Sequence, residues 1–102
     1  MQHLLLSARL PIVLDIGSVS KLLEELAEVL ELKVAFGPAA TAFEDGASAF
    51  VIVSESHISF HQVQEKVWID VFSCKDFRIE KVLDMLNRWE FKDLKNLCCL
   101  KR

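Results

Sequence analysis

One segment of the chain concentrates the side chains that can do chemistry. From Ser48 to Cys74 the sequence reads SAFVIVSESHISFHQVQEKVWIDVFSC, which groups serine, histidine, glutamate and cysteine in an otherwise apolar chain. Such groups serve as nucleophiles, bases and acids, but they are also common on the solvent face of strands. His57 and His61 share one face of a regular strand, yet two local ligands are too few for zinc, so we expect no metal.

The elements that must position this segment are mainly strands. Runs of β-branched and aromatic residues predict six of them. They cover His3 to Leu6 with an extension to Asp15, Leu32 to Phe36, Ala47 to Val53, His57 to His61, Val67 to Cys74, and Leu94 to Leu100. Gly37-Pro38 and Glu44-Asp45-Gly46 are turn signals between strands.

Two further segments have the spacing of amphipathic helices. Apolar residues recur at intervals of three and four from Val19 to Leu30, after a break and N-cap at Gly17 and Ser18. A second helix is predicted from Phe77 to Trp89, with Asp76 as its cap. Each helix has one apolar face, so both should cover the same side of a sheet. The order of elements predicts an α+β two-layer sandwich, mainly antiparallel, with two helices on one face.

Length and composition limit the classes of protein that fit. The chain has 102 residues, which predicts a single domain over 1–102. Its hydrophobic fraction of 52% suggests a covered interface and therefore a homodimer or larger oligomer. The net charge of -3 argues against binding to nucleic acid. No apolar run approaches the roughly 20 residues of a membrane span, and Met1 to Ile16 lacks the pattern of a signal peptide. We expect a soluble cytoplasmic protein with its three cysteines reduced.

Two motifs in the central segment resemble a known family. Glu55 to His61 reads ESHISFH, and Ile69 to Cys74 reads IDVFSC. These resemble the E-S-H-[LI]-[ST]-[IF]-H and V-D-[VIL]-F-T-C motifs of the bacterial and archaeal S-adenosylmethionine decarboxylases. Gly46 to Ala49 and, more weakly, His3 to Leu5 extend the similarity, which covers about positions 3 to 75.

The resemblance implies that the chain cuts itself between Glu55 and Ser56, giving chains 1–55 and 56–102. In this reaction the Ser56 Oγ attacks the carbonyl of Glu55 and forms an ester. β-Elimination then leaves a dehydroalanine, which hydrolyses to a pyruvoyl group and ammonia. This covalent pyruvate is the cofactor that the family implies. It joins the substrate amine as an imine and accepts the electrons released when carbon dioxide leaves.

The resemblance also implies roles for individual residues. His61 would be the base of the elimination, Ser48 would support processing, and Cys74 would donate a proton to the product carbon. Glu65 would hold the ribose hydroxyls of S-adenosylmethionine, and Phe43 would stack on its adenine, with a cation–π contribution. The product would be decarboxylated S-adenosylmethionine, the aminopropyl donor of spermidine synthesis. Active sites near the subunit interface would let Phe43 or Glu65 act across it.

The chain departs from the family pattern around the predicted substrate site. The W-P-E of the family is Val63 to Glu65 here, and the stretch from His61 to Cys74 is two residues shorter. Phe43 lies one residue closer to Ser48 than the pattern requires, and Lys75 replaces a glycine. Self-processing should therefore be intact, whereas the fit of the substrate is altered.

Two alternatives remain open. The same pyruvoyl chemistry could act on another amino acid, such as arginine or ornithine. A non-catalytic homologue could instead keep the fold as a partner subunit or binding module, although the joint presence of Ser48, Ser56, His61 and Cys74 disfavours it.

Strand geometry places a condition on the processing roles. Ser56 and His61 are five residues apart, so a regular strand would point them to opposite faces. Ser48 and Ser56 would lie about 26 Å apart on one straight strand. If both act on one bond, the backbone must turn between Ser54 and His57.

Overall fold

The computed structural model describes residues 1–101, which form six strands and two helices. In chain order these are β1 (Gln2–Arg9), α1 (Ile16–Val29), β2 (Val34–Phe43), β3 (Gly46–Val53), β4 (Ser56–Val63), β5 (Lys66–Ser73), α2 (Ile79–Arg88) and β6 (Lys92–Lys101). The predicted α+β two-layer sandwich is confirmed.

All six strands belong to one antiparallel sheet with the order β2-β3-β4-β5-β1-β6. Strands β2 to β5 follow one another through short turns, and β1 completes the sheet between β5 and β6. In β3 and β4, Ser48 lies opposite His61 and Val53 lies opposite Ser56. This register fixes which chemical groups can meet.

Burial alternates along the strands because successive side chains point to opposite faces. In β3 the residues Ala47, Ala49, Val51 and Val53 are buried, while the residues between them are partly or fully exposed. The buried face packs against α1 and α2. The helices contribute Val19, Leu22, Leu23, Leu26, Ala27, Val82, Met85 and Leu86 to the core.

The other side of the sheet, here called the open face, carries no helix. Its exposed apolar side chains include Phe36, Phe50 and Ile52, and the rings of Phe36 and Phe50 stack with centroids 6.1 Å apart. Exposed apolar side chains grouped in this way are typical of an interaction surface.

The helix caps differ from the sequence prediction. Helix α1 begins at Ile16, and its N-cap is Asp15, whose carboxylate accepts a hydrogen bond from the Ser18 N–H at 2.8 Å. The predicted caps, Gly17 and Ser18, lie inside the first turn of the helix. Asp76 does not cap α2, because this helix begins at Ile79 and Arg78 occupies the N-cap position. Asp76 instead pairs with Lys101 at 3.0 Å.

Two strand boundaries also differ from the prediction. The turn expected at Gly37-Pro38 is instead an irregularity inside β2, where Gly37 has φ 92 and precedes a cis proline. Pairing with β3 continues on both sides of it, so cross-strand hydrogen bonds outweigh the local turn signal. Strand β1 ends at Arg9 and does not extend to Asp15.

Within residues 1–101, neither helix combines the length and the apolar character that crossing a membrane requires.

Candidate active site

The Glu55–Ser56 bond lies at the tip of the hairpin that joins β3 and β4. Ser54 and Glu55 form the two-residue turn, with Ser54 at φ 50, and Ser56 is the first residue of β4. The chain therefore turns where the processing hypothesis requires it to turn. Ser56 itself points towards the helices and is only 6% exposed, whereas Glu55 is exposed.

Cys74 contacts both residues of this bond. It follows β5 directly, and its backbone N–H donates a hydrogen bond to the Ser56 Oγ at 2.9 Å. Its thiol donates to the carbonyl oxygen of Glu55 at 3.3 Å, and the Sγ lies 3.9 Å from the Glu55 Oε2. The structure thus brings together Glu55, Ser56 and Cys74, which we call the hairpin group.

Ser48 and His61 form a second group on the open face. They are cross-strand partners on β3 and β4, and the Ser48 Oγ lies 3.1 Å from the His61 Nδ1, within hydrogen-bond distance. This open-face pair lines a cavity of about 490 Å³ together with Phe50 and Ser59.

The two groups do not meet within one chain. Ser56 and His61 are five residues apart on β4, about 16 Å at the usual rise of a strand. Their side chains also point to opposite faces, since Ser56 is buried with the core and His61 is exposed. The turn after β3 therefore does not bring Ser48 or His61 of the same chain to the Glu55–Ser56 bond.

Glu65 lies at the end of the sheet remote from the hairpin group. It follows β4 in the turn to β5, where its Oε1 accepts a hydrogen bond from the Arg9 Nη1 at 3.3 Å. Arg9 also donates to the Asp93 Oδ2 at 2.9 Å, and these contacts raise the pKa of Arg9, the bond to Asp93 contributing most. The same bond lowers the pKa of Asp93. The carboxylate of Glu65 is thus engaged by a cation.

Phe43 lies at the same remote end, as the last residue of β2. It is 44% exposed and pairs with Gly46, and a Cβ added to Gly46 would lie 2.7 Å from the Phe43 Cε2. The Phe43 ring therefore lies against the backbone of Gly46. Within one chain, therefore, neither Glu65 nor Phe43, the two residues predicted to bind the substrate, lies close to Glu55 or Ser56.

A polar cluster that the sequence did not reveal occupies the open face beside the hairpin group. Asp70 hydrogen-bonds the His3 Nε2, and its other oxygen lies 3.8 Å from the His57 Nε2. The His57 ring stacks on Phe72 with centroids 5.6 Å apart. The register of β1, β4 and β5 aligns these residues, which lie far apart in sequence. No group of three metal-binding side chains in the described part of the chain could hold a metal ion.

The fold is thus that of a two-layer α+β sandwich with the Glu55–Ser56 hairpin at one end of its sheet. The family model described as S-adenosylmethionine decarboxylase matches residues 6–93, which is most of the chain. The protein belongs to this family, and its function is of the S-adenosylmethionine decarboxylase type. A comparison with curated proteins gave no match.

Proposed function

We propose that the protein is a cytoplasmic, homodimeric, pyruvoyl-dependent enzyme. It cuts itself at Glu55–Ser56 into chains 1–55 and 56–102 and then decarboxylates S-adenosylmethionine for spermidine synthesis. The observation that carries this proposal is that Cys74 contacts both groups that would react, the Ser56 hydroxyl through its Oγ and the Glu55 carbonyl through its oxygen.

The hairpin group has the chemistry of the first processing step. The Ser56 Oγ must attack the Glu55 carbonyl carbon, and negative charge then develops on the carbonyl oxygen. The Cys74 thiol donates to that oxygen, so it stabilises the developing charge. The Cys74 N–H donates one hydrogen bond to the Ser56 Oγ and so fixes the position of this oxygen. A hydroxyl oxygen has two lone pairs, so one remains for the attack.

The elimination step requires a base that removes the proton on the Cα of Ser56. The open-face pair has a suitable base in His61, but within one chain this residue is too distant. A second copy packed against the open face would bring His61 of the partner subunit to the bond, in agreement with the exposed apolar residues there.

The position of residue 56 also fits the pyruvoyl group that the family implies. It is almost completely buried at the start of β4, with the N–H of Cys74 directed at it. When present, the group supplies an electron sink for decarboxylation. Burial excludes water, and the exposed Cys74 thiol beside it can deliver a proton to the product carbon.

Mass spectrometry under denaturing conditions tests the proposal. We expect one fragment that ends at Glu55 and a second that runs to Arg102 and is lighter by one ammonia than a peptide starting with serine. Ser56→Ala should abolish cleavage because alanine has no Oγ, while the fold persists. An uncleaved wild-type chain that still decarboxylates S-adenosylmethionine would refute the pyruvoyl mechanism. An uncleaved and inactive chain would favour a non-catalytic homologue.

Two observations favour a second candidate function, the decarboxylation of another amino acid such as arginine or ornithine. Arg9 engages Glu65, the residue that would bind ribose, and Phe43 packs on Gly46. Both features make a nucleoside site less complete. Carbon dioxide release from S-adenosylmethionine, arginine and ornithine, measured side by side, distinguishes the two candidate functions. Faster release from an amino acid lacking adenosine would support this second candidate.

A further inference from the structure

The few buried polar side chains cluster around one segment. Within residues 1–101, four polar residues are buried: Gln2, Ser56, Gln62 and Ser73. Buried polar atoms require hydrogen-bond partners. Three of the four accept hydrogen bonds from backbone N–H groups of residues 74–77, here called the 74–77 segment, which joins β5 to α2.

Two of these acceptors hold the first half of the segment. The Ser56 Oγ accepts from the Cys74 N–H at 2.9 Å, and the Ser73 Oγ accepts from the Lys75 N–H at 3.1 Å. Ser73 is 1% exposed, so water does not compete for this bond. The position of the Cys74 thiol therefore depends on the hydrogen bonds that its own N–H and the N–H of Lys75 donate.

The third acceptor is remote in sequence. The Oε1 of Gln2, on β1, accepts from the Phe77 N–H at 2.9 Å, and Gln2 is 5% exposed. The ion pair of Asp76 with Lys101 lies nearby, but both side chains are exposed and such pairs contribute little. Gln2 is thus the buried anchor of the end of the segment that precedes α2.

Cleavage as proposed above would remove one of the three anchors. In the first step the Ser56 Oγ becomes bonded to the Glu55 carbonyl carbon, the C–N bond between Glu55 and Ser56 breaks, and the hydroxyl proton passes to the freed amine nitrogen of residue 56. In the elimination, the Cα proton passes to the base, its electron pair forms the Cα–Cβ double bond, and the Cβ–Oγ bond breaks. The Oγ leaves with its electron pair as an oxygen of the new Glu55 carboxylate. Residue 56 then has no Oγ to accept a hydrogen bond from Cys74.

We propose that Gln2 is a positioning residue for turnover, because after cleavage Gln2 and Ser73 are the buried polar side chains whose hydrogen bonds still hold the 74–77 segment. This inference rests on the proposed function. Gln2 does not touch the reacting atoms. It acts through the Phe77 N–H, and its effect is to keep the thiol of Cys74 opposite residue 56.

The variant Gln2→Met tests this role because methionine has a similar size and accepts no comparable hydrogen bond. In the cleaved protein, we expect the Phe77 amide to exchange its hydrogen roughly tenfold faster, as the loss of one buried bond implies. Peptide-resolved alkylation of Cys74 with iodoacetamide should also accelerate. The kcat for carbon dioxide release should fall several-fold with little change in KM, and the extent of self-cleavage should stay the same.

Two further variants separate positioning from general destabilisation. Gln2→Glu keeps an oxygen acceptor near the N-terminus of α2 and should restore slow exchange. Gln62→Met is the matched control. Gln62 is fully buried and bonds the Leu14 N–H and the Ile12 carbonyl oxygen, away from the segment. It should leave exchange in residues 74–77 and kcat unchanged.

The outcomes distinguish the two proposals. Cleaved Gln2→Met protein with unchanged exchange and unchanged kcat would overturn the role of Gln2 alone. The same losses in Gln62→Met would also overturn it, because they would reflect lower stability. A wild-type chain that remains uncleaved would overturn the proposed function together with this inference.

Discussion

At the scale of single residues, the contacts of Cys74 fit two steps, whereas the sequence assigned this residue to turnover alone. The family resemblance implies a proton donor in turnover, and from that role alone Cys74→Ala should spare self-cleavage. The structure adds a hydrogen bond from the thiol to the Glu55 carbonyl oxygen, the atom on which charge develops during processing. The same residue therefore has the geometry to act before and after cleavage.

We expect Cys74→Ala to slow self-cleavage roughly tenfold without abolishing it, since a thiol is a weak donor and the Cys74 N–H remains. Turnover should fall much further. The time course of precursor loss on a denaturing gel measures the first effect. Cys98→Ala, on the edge strand β6, is the control and should cleave at the wild-type rate. Cleavage of Cys74→Ala at the wild-type rate would mean that the thiol acts only in turnover.

At the scale of elements, the β2–β3 and β3–β4 pairs depend on Gly46. A Cβ at this position would lie 1.9 Å from the backbone oxygen of Gln62 and 2.7 Å from the Phe43 ring. The clash with backbone cannot be relieved by a rotamer change. Strand β3 would have to move away from β4, and this movement would also separate Ser48 from its cross-strand partner His61.

Gly46→Ala should therefore destabilise the fold by about 2 kcal/mol or more. Urea unfolding of the uncleaved Ser56→Ala chain measures this with the backbone intact. Gly17→Ala is the matched control, since its Cβ would lie 3.6 Å from the Asp15 Oδ1 inside α1. It should stabilise by about 0.5–1 kcal/mol because alanine is the better helix former. Equal effects of both substitutions would contradict the close approach at Gly46.

Asp15 makes the stability of α1 depend on pH. Its hydrogen bond from the Ser18 backbone lowers the pKa of Asp15 below its ordinary value of 3.8. A lowered pKa contributes stability that is present above pH 3.8 and is lost as the pH falls through the folded-state pKa. Asp15→Ala should lower the Tm by a few degrees at pH 7, and the difference from wild type should shrink as the pH falls below 3.8.

Asp15→Asn is the control for this titration, because it keeps an oxygen for the Ser18 N–H but has no charge to lose. Thermal unfolding of the three proteins between pH 2.5 and 7 measures the effect. A Tm difference between wild type and Asp15→Ala that stays constant over this range would contradict the role of the ionised cap.

At the scale of the whole molecule, one chain contains every residue that the proposed processing reaction uses but does not bring them together. The hairpin group is at one end of the sheet, and the open-face pair lies about 16 Å away on the other face. We propose a homodimer whose two-fold axis places each open-face pair beside the hairpin group of the other subunit.

Co-expression of two inactive chains tests this arrangement. Ser56→Ala and His61→Ala should each remain uncleaved as homodimers. In the mixed dimer, the His61→Ala chain keeps its own Ser56 and would be served by His61 of the partner subunit. We therefore expect that chain, and not the Ser56→Ala chain, to be cleaved. Differently tagged chains and mass spectrometry identify the product. Absence of cleavage in a mixed dimer isolated through both tags would contradict a shared site.

The sequence by itself determined the fold class and most of the elements. The alternation of β3, the stripe of α1 and the turn at Glu44-Asp45 are local patterns, and each is found in the structure. The sequence also singled out the candidate processing segment, because the motif around Ser56 is contiguous. It misplaced the caps of both helices and the turn at Gly37-Pro38, where long-range pairing overrides local preference.

Only the tertiary structure decided which of these residues meet. Strand register brings Cys74 to Ser56 across 18 residues and Asp70 to His3 across 67, and no local pattern contains this information. His61 and Ser56 are only five residues apart in sequence, but they do not meet, because a strand directs their side chains to opposite faces. Gln2 is the extreme case: its partner Phe77 is 75 residues away, and a glutamine near the start of a strand gives no signal until the sheet buries it.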